Sequence, residues 1–81
     1  MYYVYVLYSE VNDKIYIGFT NNPQGRLEAH NHPKNKGWTK RYQPWRIIHS
    51  EPFSTKDEAM KREQELKSHQ GRDFIRKLIR N

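Results

Sequence analysis

Tyr2-Tyr3-Val4-Tyr5-Val6-Leu7-Tyr8 and, seven residues on, Ile15-Tyr16-Ile17-Gly18-Phe19 are both built from β-branched and aromatic residues. The segment between them, Ser9 to Lys14, is mostly polar, with Asn12-Asp13 as the natural tight turn. This pattern predicts a β-hairpin. With Asn12-Asp13 as the two turn residues, Val11 opposes Lys14, Ser9 opposes Tyr16 and Tyr5 opposes Thr20. Side chains alternate along a strand, so odd positions of the first strand share a face with even positions of the second. One face then gathers Val4, Val6, Ile15, Ile17 and Phe19, which is a core. The other gathers Tyr3, Tyr5, Tyr16 and the side-chain-free Gly18, and reads as a solvent-facing tyrosine surface with a bare patch of backbone.

The chain has 81 residues, enough for one domain. A domain of that size buries about 60% of its unfolded surface. Only 35% of residues are hydrophobic, so most apolar side chains are needed for the core. A shallow surface site is thereby expected ahead of a large deep substrate cavity. The formal net charge of +6 points to an acidic partner, nucleic acid ahead of a membrane surface. The absence of cysteine excludes disulfides and thiolate metal sites and suits a reducing cytoplasm. The N-terminus lacks the basic region of a signal peptide, and no apolar run approaches the ~18 residues of a membrane span.

Downstream of the hairpin, Asn22-Pro23 marks a helix start, with Asn as N-cap and Pro at the first helical position. That helix is expected over Pro23 to about His30, placing Arg26 and His30 on one face and Leu27 toward the core. From Asn31 to Pro44 the chain is irregular, and between Glu28 and Glu51 it carries no acid. Lys34, Lys36, Lys40, Arg41 and Arg46 fall in this stretch, interleaved with Trp38, Tyr42 and Trp45. Basic residues neutralise phosphates and exposed aromatic rings stack on splayed bases. Trp45, next to a strand, is expected to cap the core, whereas Trp38 fits either role.

A third strand is expected over Trp45 to Glu51, covered on both faces because Ile47-Ile48 breaks alternation. Ser54 or Thr55 then caps a second helix, with Asp57 or Glu58 completing a capping box. Its inward stripe runs through Ala59, Met60, Leu66 and Lys67, and Glu63 falls on it. A carboxylate within an apolar stripe needs a cation or a metal. Gly71 reads as the end of this unit, and Phe74, Ile75, Leu78 and Ile79 as the core stripe of a last helix from about Arg72 to Arg80.

No phosphate loop, zinc-type spacing or nucleophile elbow is present, and His30-Asn31-His32 lacks a third metal ligand. What remains is Tyr5, Tyr16, Arg26, His30 and Glu63 in a basic protein. That set suits phosphodiester hydrolysis. One carboxylate can hold Mg²⁺ when waters and substrate phosphate complete its shell, an arginine offsets developing charge, and a tyrosine or histidine handles the proton of water. Tyr5 and His30 both qualify as general base.

These residues also resemble the GIY-YIG endonuclease domain, specifically its small stand-alone bacterial members. Tyr3-Val4-Tyr5 stands where the family has Gly-Ile-Tyr, and Tyr16-Ile17-Gly18 matches Tyr-Ile-Gly. Asn22-Pro23, Arg26 and His30 follow the first-helix pattern, Trp38-Thr39 and Pro44 the small-member pattern, and Arg62-Glu63 the metal-binding acid. Tyr3 in place of the motif glycine adds bulk at the start of the strand, and the polar residue that some members carry beyond the acid has no counterpart. The resemblance implies an α+β fold of order β-β-α-β-α-α, a small three-stranded antiparallel sheet flanked by helices. It further implies a divalent metal, Mg²⁺ or Mn²⁺, on Glu63, with Tyr5, Tyr16, Arg26 and His30 around the scissile phosphate.

The expected function is thus a metal-dependent endonuclease, a cytoplasmic monomer acting on nucleic acid. DNA, including branched or nicked repair and recombination structures, is the first expectation. Gly18, Lys34, Lys36, Trp38, Lys40 and Arg41 are the expected substrate contacts, with a protein partner or nucleic-acid shape setting specificity. The alternatives are a non-catalytic nucleic-acid-binding module on the same scaffold and a subunit that docks an acidic protein surface.

Overall fold

The computed structural model describes residues 1–80. Three antiparallel strands, β1 (Tyr2–Ser9), β2 (Lys14–Thr20) and β3 (Arg46–Phe53), form one sheet in the order β2-β1-β3. Helix α1 (Pro23–Asn31) and a short 3-10 turn (Trp38–Tyr42) lie between β2 and β3, and α2 (Lys56–Lys67) and α3 (His69–Arg80) follow. The expected order of elements is therefore present, with the 3-10 turn added.

The hairpin register differs from the expected one by two residues. Tyr5 opposes Gly18, Leu7 opposes Tyr16 and Ser9 opposes Lys14, leaving a four-residue loop from Glu10 to Asp13. Asp13 sits in the left-handed region at φ 51°, and its Oδ1 accepts hydrogen bonds from Tyr8 Oη at 2.9 Å and from Arg76 Nη1 of α3 at 2.6 Å. Those contacts hold the wider loop open where a two-residue turn would have closed it. A shift of two preserves alternation, so both faces keep the side chains expected of them.

Each face carries a core. Val4, Val6 and Ile17 pack with Ala59, Leu66 and Ile75 from α2 and α3. Tyr5, Leu7 and Trp45 pack on the other side with Tyr16, Leu27, Tyr42 and Ile47 around them. The tyrosine face is accordingly not a wet surface: Tyr5 is 1% exposed and Trp45 4%. Adjacent side chains of a strand point to opposite faces, so Ile47 joins one core and Ile48 the other, and β3, bulged opposite Val6 and Leu7, is covered on both faces. Pro52 is tolerated in β3 because that strand is an edge.

Asn22 caps α1 by accepting from the Gly25 amide at 3.1 Å, and Thr55 caps α2 by accepting from Glu58 N at 3.3 Å. Three expectations for the C-terminal helices fail. Of the core stripe expected in α3, Ile75 and Ile79 pack inward but Phe74 and Leu78 are exposed, at 39% and 37%. Met60 and Lys67 are exposed, so the α2 stripe is narrower than expected and centres on Ala59 and Leu66. Gly71 does not end a unit. The break is at Ser68, and Gly71 lies inside α3, where an added Cβ would stand 2.3 Å from the Glu65 carbonyl oxygen and 2.4 Å from Leu66 Cα. Alanine gains up to ~1 kcal/mol over glycine in a helix interior, but overpacking against backbone costs about 1–3 kcal/mol. Gly71→Ala is therefore expected to lower the thermal midpoint by roughly 10 °C, at ~4–8 °C per kcal/mol in a domain this small. A rise in midpoint by circular dichroism would refute this packing. None of the helices among the described residues is long and apolar enough to cross a membrane.

Candidate active site

Strand alternation and the helical repeat bring four of the expected site residues together. Tyr5 projects from the central strand and Tyr16 from β2 onto the face that α1 crosses, and Arg26 and His30 come from successive turns of α1. The Tyr16 and His30 rings have centroids 4.5 Å apart; Tyr5 lies 6.1 Å from Tyr16 and 6.4 Å from His30. Tyr5 Oη is 3.3 Å from His30 Nε2, and His30 Nδ1 is 2.9 Å from Thr39 Oγ1. The imidazole is thus gripped at both nitrogens. Tyr16, Arg26, His30, Asn35, Trp38 and Thr39 line an open cavity of about 330 Å³.

Gly18 has a different job from the one expected. A Cβ there would lie 2.8 Å from Tyr5 Oη and 3.1 Å from a Tyr16 ring carbon. The space left by the missing side chain is filled by the Tyr5 phenol, and Gly18 itself is buried. It seats the tyrosine beside His30 and offers no open backbone to a substrate.

Glu63 stands apart. Its helix supplies Ala59 and Leu66 to the Val4–Val6 core, on the far side of the sheet from Tyr5, while also contacting β2, the edge strand that carries Tyr16. Among the described residues, Glu63 shares no hydrogen bond, ion pair or cavity wall with the other four. Its side chain is 13% exposed, with Lys67 Nζ at 3.6 Å and Gln64 Nε2 at 3.4 Å, both on Oε1.

The GIY-YIG catalytic domain family matches residues 1–77. The chain belongs to this family. A UPF0213 protein of Staphylococcus haemolyticus is 39% identical over 67 residues, which is 83% of this chain and 80% of the relative. One from Natronomonas pharaonis is 37% identical over 83% of this chain and 78% of its own length. The solution NMR structure of the UPF0213 protein from Bacillus halodurans superposes with a TM-score of 0.55 at 30% identity, covering 96% of this chain and 85% of that one. GIY-YIG domains form a nuclease-type family, which implies interaction with nucleic acid.

Within this GIY-YIG domain, burial and charge set the proton affinities. Burial pushes the Tyr5 phenol up to about 12, although the Arg26 guanidinium beside it pulls the other way. His30, 7% exposed, is held below the usual histidine range, first by burial and then by the positive charge of Arg26. At neutral pH the pair is therefore a neutral phenol next to a neutral imidazole, with a fixed cation alongside.

Sequence reasoning missed the polar frame behind His30. Asn35 Nδ2 donates to Thr39 Oγ1 at 2.8 Å and to the His30 carbonyl at 3.0 Å, and Gln43 Nε2 donates to that same carbonyl at 2.7 Å. Asn31 exchanges two hydrogen bonds with the Trp45 backbone, at 2.7 and 2.9 Å. A sign was available: Asn31, Asn35, Thr39 and Gln43 are the neutral polar residues of an acid-free, irregular stretch. Irregular backbone packed against a core needs such side chains to satisfy its amides and carbonyls.

Lys34, Lys36, Lys40 and Arg41 are exposed around this frame. Lys40 Nζ donates to the Pro33 carbonyl, and Arg41 lies 5.8 Å from the Tyr42 ring centroid, so the cations flank the aromatic turn.

Proposed function

We propose that this protein is a metal-dependent endonuclease that hydrolyses phosphodiester bonds in nucleic acid, with DNA as the primary substrate. The observation that carries the reading is the meeting of Tyr16, Arg26 and His30 in the wall of one cavity, with Tyr5 Oη 3.3 Å from His30 Nε2 and both rings of that pair neutral. The phosphate binds against Arg26, which offsets charge as the phosphorus gains a fifth oxygen. A water attacks the phosphorus and gives its proton to Tyr5 Oη while that hydroxyl passes its own proton to His30 Nε2. The bond from phosphorus to the leaving oxygen breaks, and that oxygen takes a proton from solvent. This relay uses both Tyr5 and His30. A phenol pushed up to about 12 is a poor base alone, and the buried neutral imidazole supplies the acceptor behind it. Tyr16, its ring centroid 4.5 Å from that of His30 and tilted to it by 54°, orients the phosphate.

The donor proposed for a metal is the Glu63 carboxylate alone; no cluster of three or more His, Asp or Glu exists among the described residues. Such a site fits a cation that keeps several waters and takes substrate oxygens, as Mg²⁺ does. Glu63 Oε2 has no protein partner among the described residues, and Lys67 is a distant one for Oε1, so the carboxylate is available. Glu63 would hold Mg²⁺ or Mn²⁺, which when bound polarises a phosphate oxygen.

Purified protein with Mg²⁺ or Mn²⁺ is expected to cut at least one of single-stranded, nicked or branched DNA. Failure on all of these and on RNA would sink the enzyme reading. One observation favours the non-catalytic binding module: Glu63 shares no wall with the cavity. That reading requires binding without metal, steeply weakened by salt and indifferent to Glu63→Gln.

A further inference from the structure

We propose that Trp38 is the stacking platform for an unpaired base next to the scissile phosphate. The substrate class of this site is then nucleic acid with single-stranded or splayed nucleotides; this rests on the nuclease reading above. Trp38 is 54% exposed, in a chain whose other tryptophan is 4% exposed and already caps the core.

Its position is fixed from behind. The Trp38 ring centroid lies 4.9 Å from that of Tyr42 and 6.0 Å from that of Trp45. The 3-10 turn that carries it is anchored where Trp45 Nε1 donates to the Thr39 carbonyl at 2.7 Å and Asn35 Nδ2 reaches Thr39 Oγ1 at 2.8 Å. The ring is therefore presented with little freedom left to lose on binding. It forms the rim of the same cavity whose wall includes Arg26 and His30. A nucleotide with its phosphate on Arg26 has its base within reach of Trp38.

Pairing state follows from the geometry of stacking. A base inside a duplex already has neighbours on both faces, so a protein ring can contact only a base that has left the stack. Charge selects the same partner. The chain has no acid between Glu28 and Glu51, and Lys36, Lys40 and Arg41 are exposed close to Trp38 in sequence. Those cations can follow a flexible strand leading away from the cavity.

The test uses the full chain in EDTA, where binding is read without cleavage. The probes are a labelled thymidine decamer, a blunt duplex and a duplex with a single-stranded flap. The decamer and flap are expected to quench tryptophan emission, and Trp38→Phe, which leaves Trp45 as the sole tryptophan, to remove that quench while retaining most of the affinity. Trp38→Ala is expected to weaken decamer and flap binding about tenfold to a hundredfold and duplex binding less than twofold. Thermal midpoints verify that the variants fold; if Trp38→Ala does not, the Trp38→Phe quench comparison decides. Equal losses on decamer and duplex, no loss on either, or a quench that survives in Trp38→Phe would overturn the proposal. So would the absence of any nucleic-acid binding at low salt, the result expected of a surface for acidic proteins. The two readings fail separately. Trp38-dependent binding without cleavage in Mg²⁺ removes the nuclease and keeps the platform, whereas cleavage unchanged in Trp38→Ala on every substrate does the reverse.

Discussion

Glu63→Gln is expected to abolish metal-dependent strand cleavage while the thermal midpoint stays within a few degrees of the parent protein. Glutamine keeps the shape of the side chain and its place beside Ala59 and Leu66 on α2. What it loses is the charge. The lost partner, Lys67, is 3.6 Å away and 43% exposed, and helix-surface pairs of that kind contribute only about 0.3–0.5 kcal/mol. Stability should therefore hardly move. Activity should fall to background, because a neutral amide is a poor ligand for a hard cation that strongly prefers carboxylate oxygen. An Mn²⁺ titration followed by NMR separates the causes: the parent should show effects centred on Glu63, and Glu63→Gln should not. Cleavage by Glu63→Gln within tenfold of the parent would remove Glu63 from the mechanism.

Arg26→Ala is expected to reduce the single-turnover cleavage rate by about 10²–10³, the scale set by losing one preorganised group that stabilises transition-state charge. The side chain is exposed, so the fold should tolerate the change. A pH profile supplies an independent readout. In the proposed relay neutral His30 accepts the proton, so activity is expected to fall as pH drops through the His30 pKa. That pKa lies below the ordinary ~6.5 because of burial and, secondarily, the Arg26 charge. Removing Arg26 deletes the second cause, His30 holds its proton more readily, and the acidic limb moves to higher pH. Burial remains, so the limb should stop short of the ordinary histidine value. A limb that stays fixed or moves to lower pH would contradict the electrostatic link between the two residues.

The faces of the hairpin were legible in the sequence because alternation has a period of two. A register error of two residues leaves such an assignment intact. The loop length was not legible, because it depends on Asp13 being held by Tyr8 and by Arg76 from the far end of the chain. Asn22, a cap at Ser54 or Thr55 and the two-sided β3 were read from local chemistry alone. The burial of Tyr5 was not, since Leu7, Trp45 and Leu27 close over it only once α1 and β3 are in place. Gly71 misled for a related reason. Glycine is both the commonest helix terminator and the residue that lets two backbones touch, and only the packing of α3 on the end of α2 separates these roles. Arg26 and His30 share a face by helical spacing, but their meeting with Tyr5 and Tyr16 required the sheet. The role of Thr39 and Asn35 behind His30 escaped notice because a hydroxyl and an amide in a loop look like solvent-facing punctuation until a buried imidazole stands beside them.

The strand order β2-β1-β3 also grades the site by local stability. Tyr5 belongs to the one strand hydrogen-bonded on both sides, whose opening requires the whole domain to unfold. Tyr16 rides an edge strand, and Trp38 a single 3-10 turn. Rare local openings will therefore reach the aromatic rim before they disturb the phenol that backs His30. The hydrogen bond between Tyr5 and His30 is thereby anchored on the least yielding part of the domain.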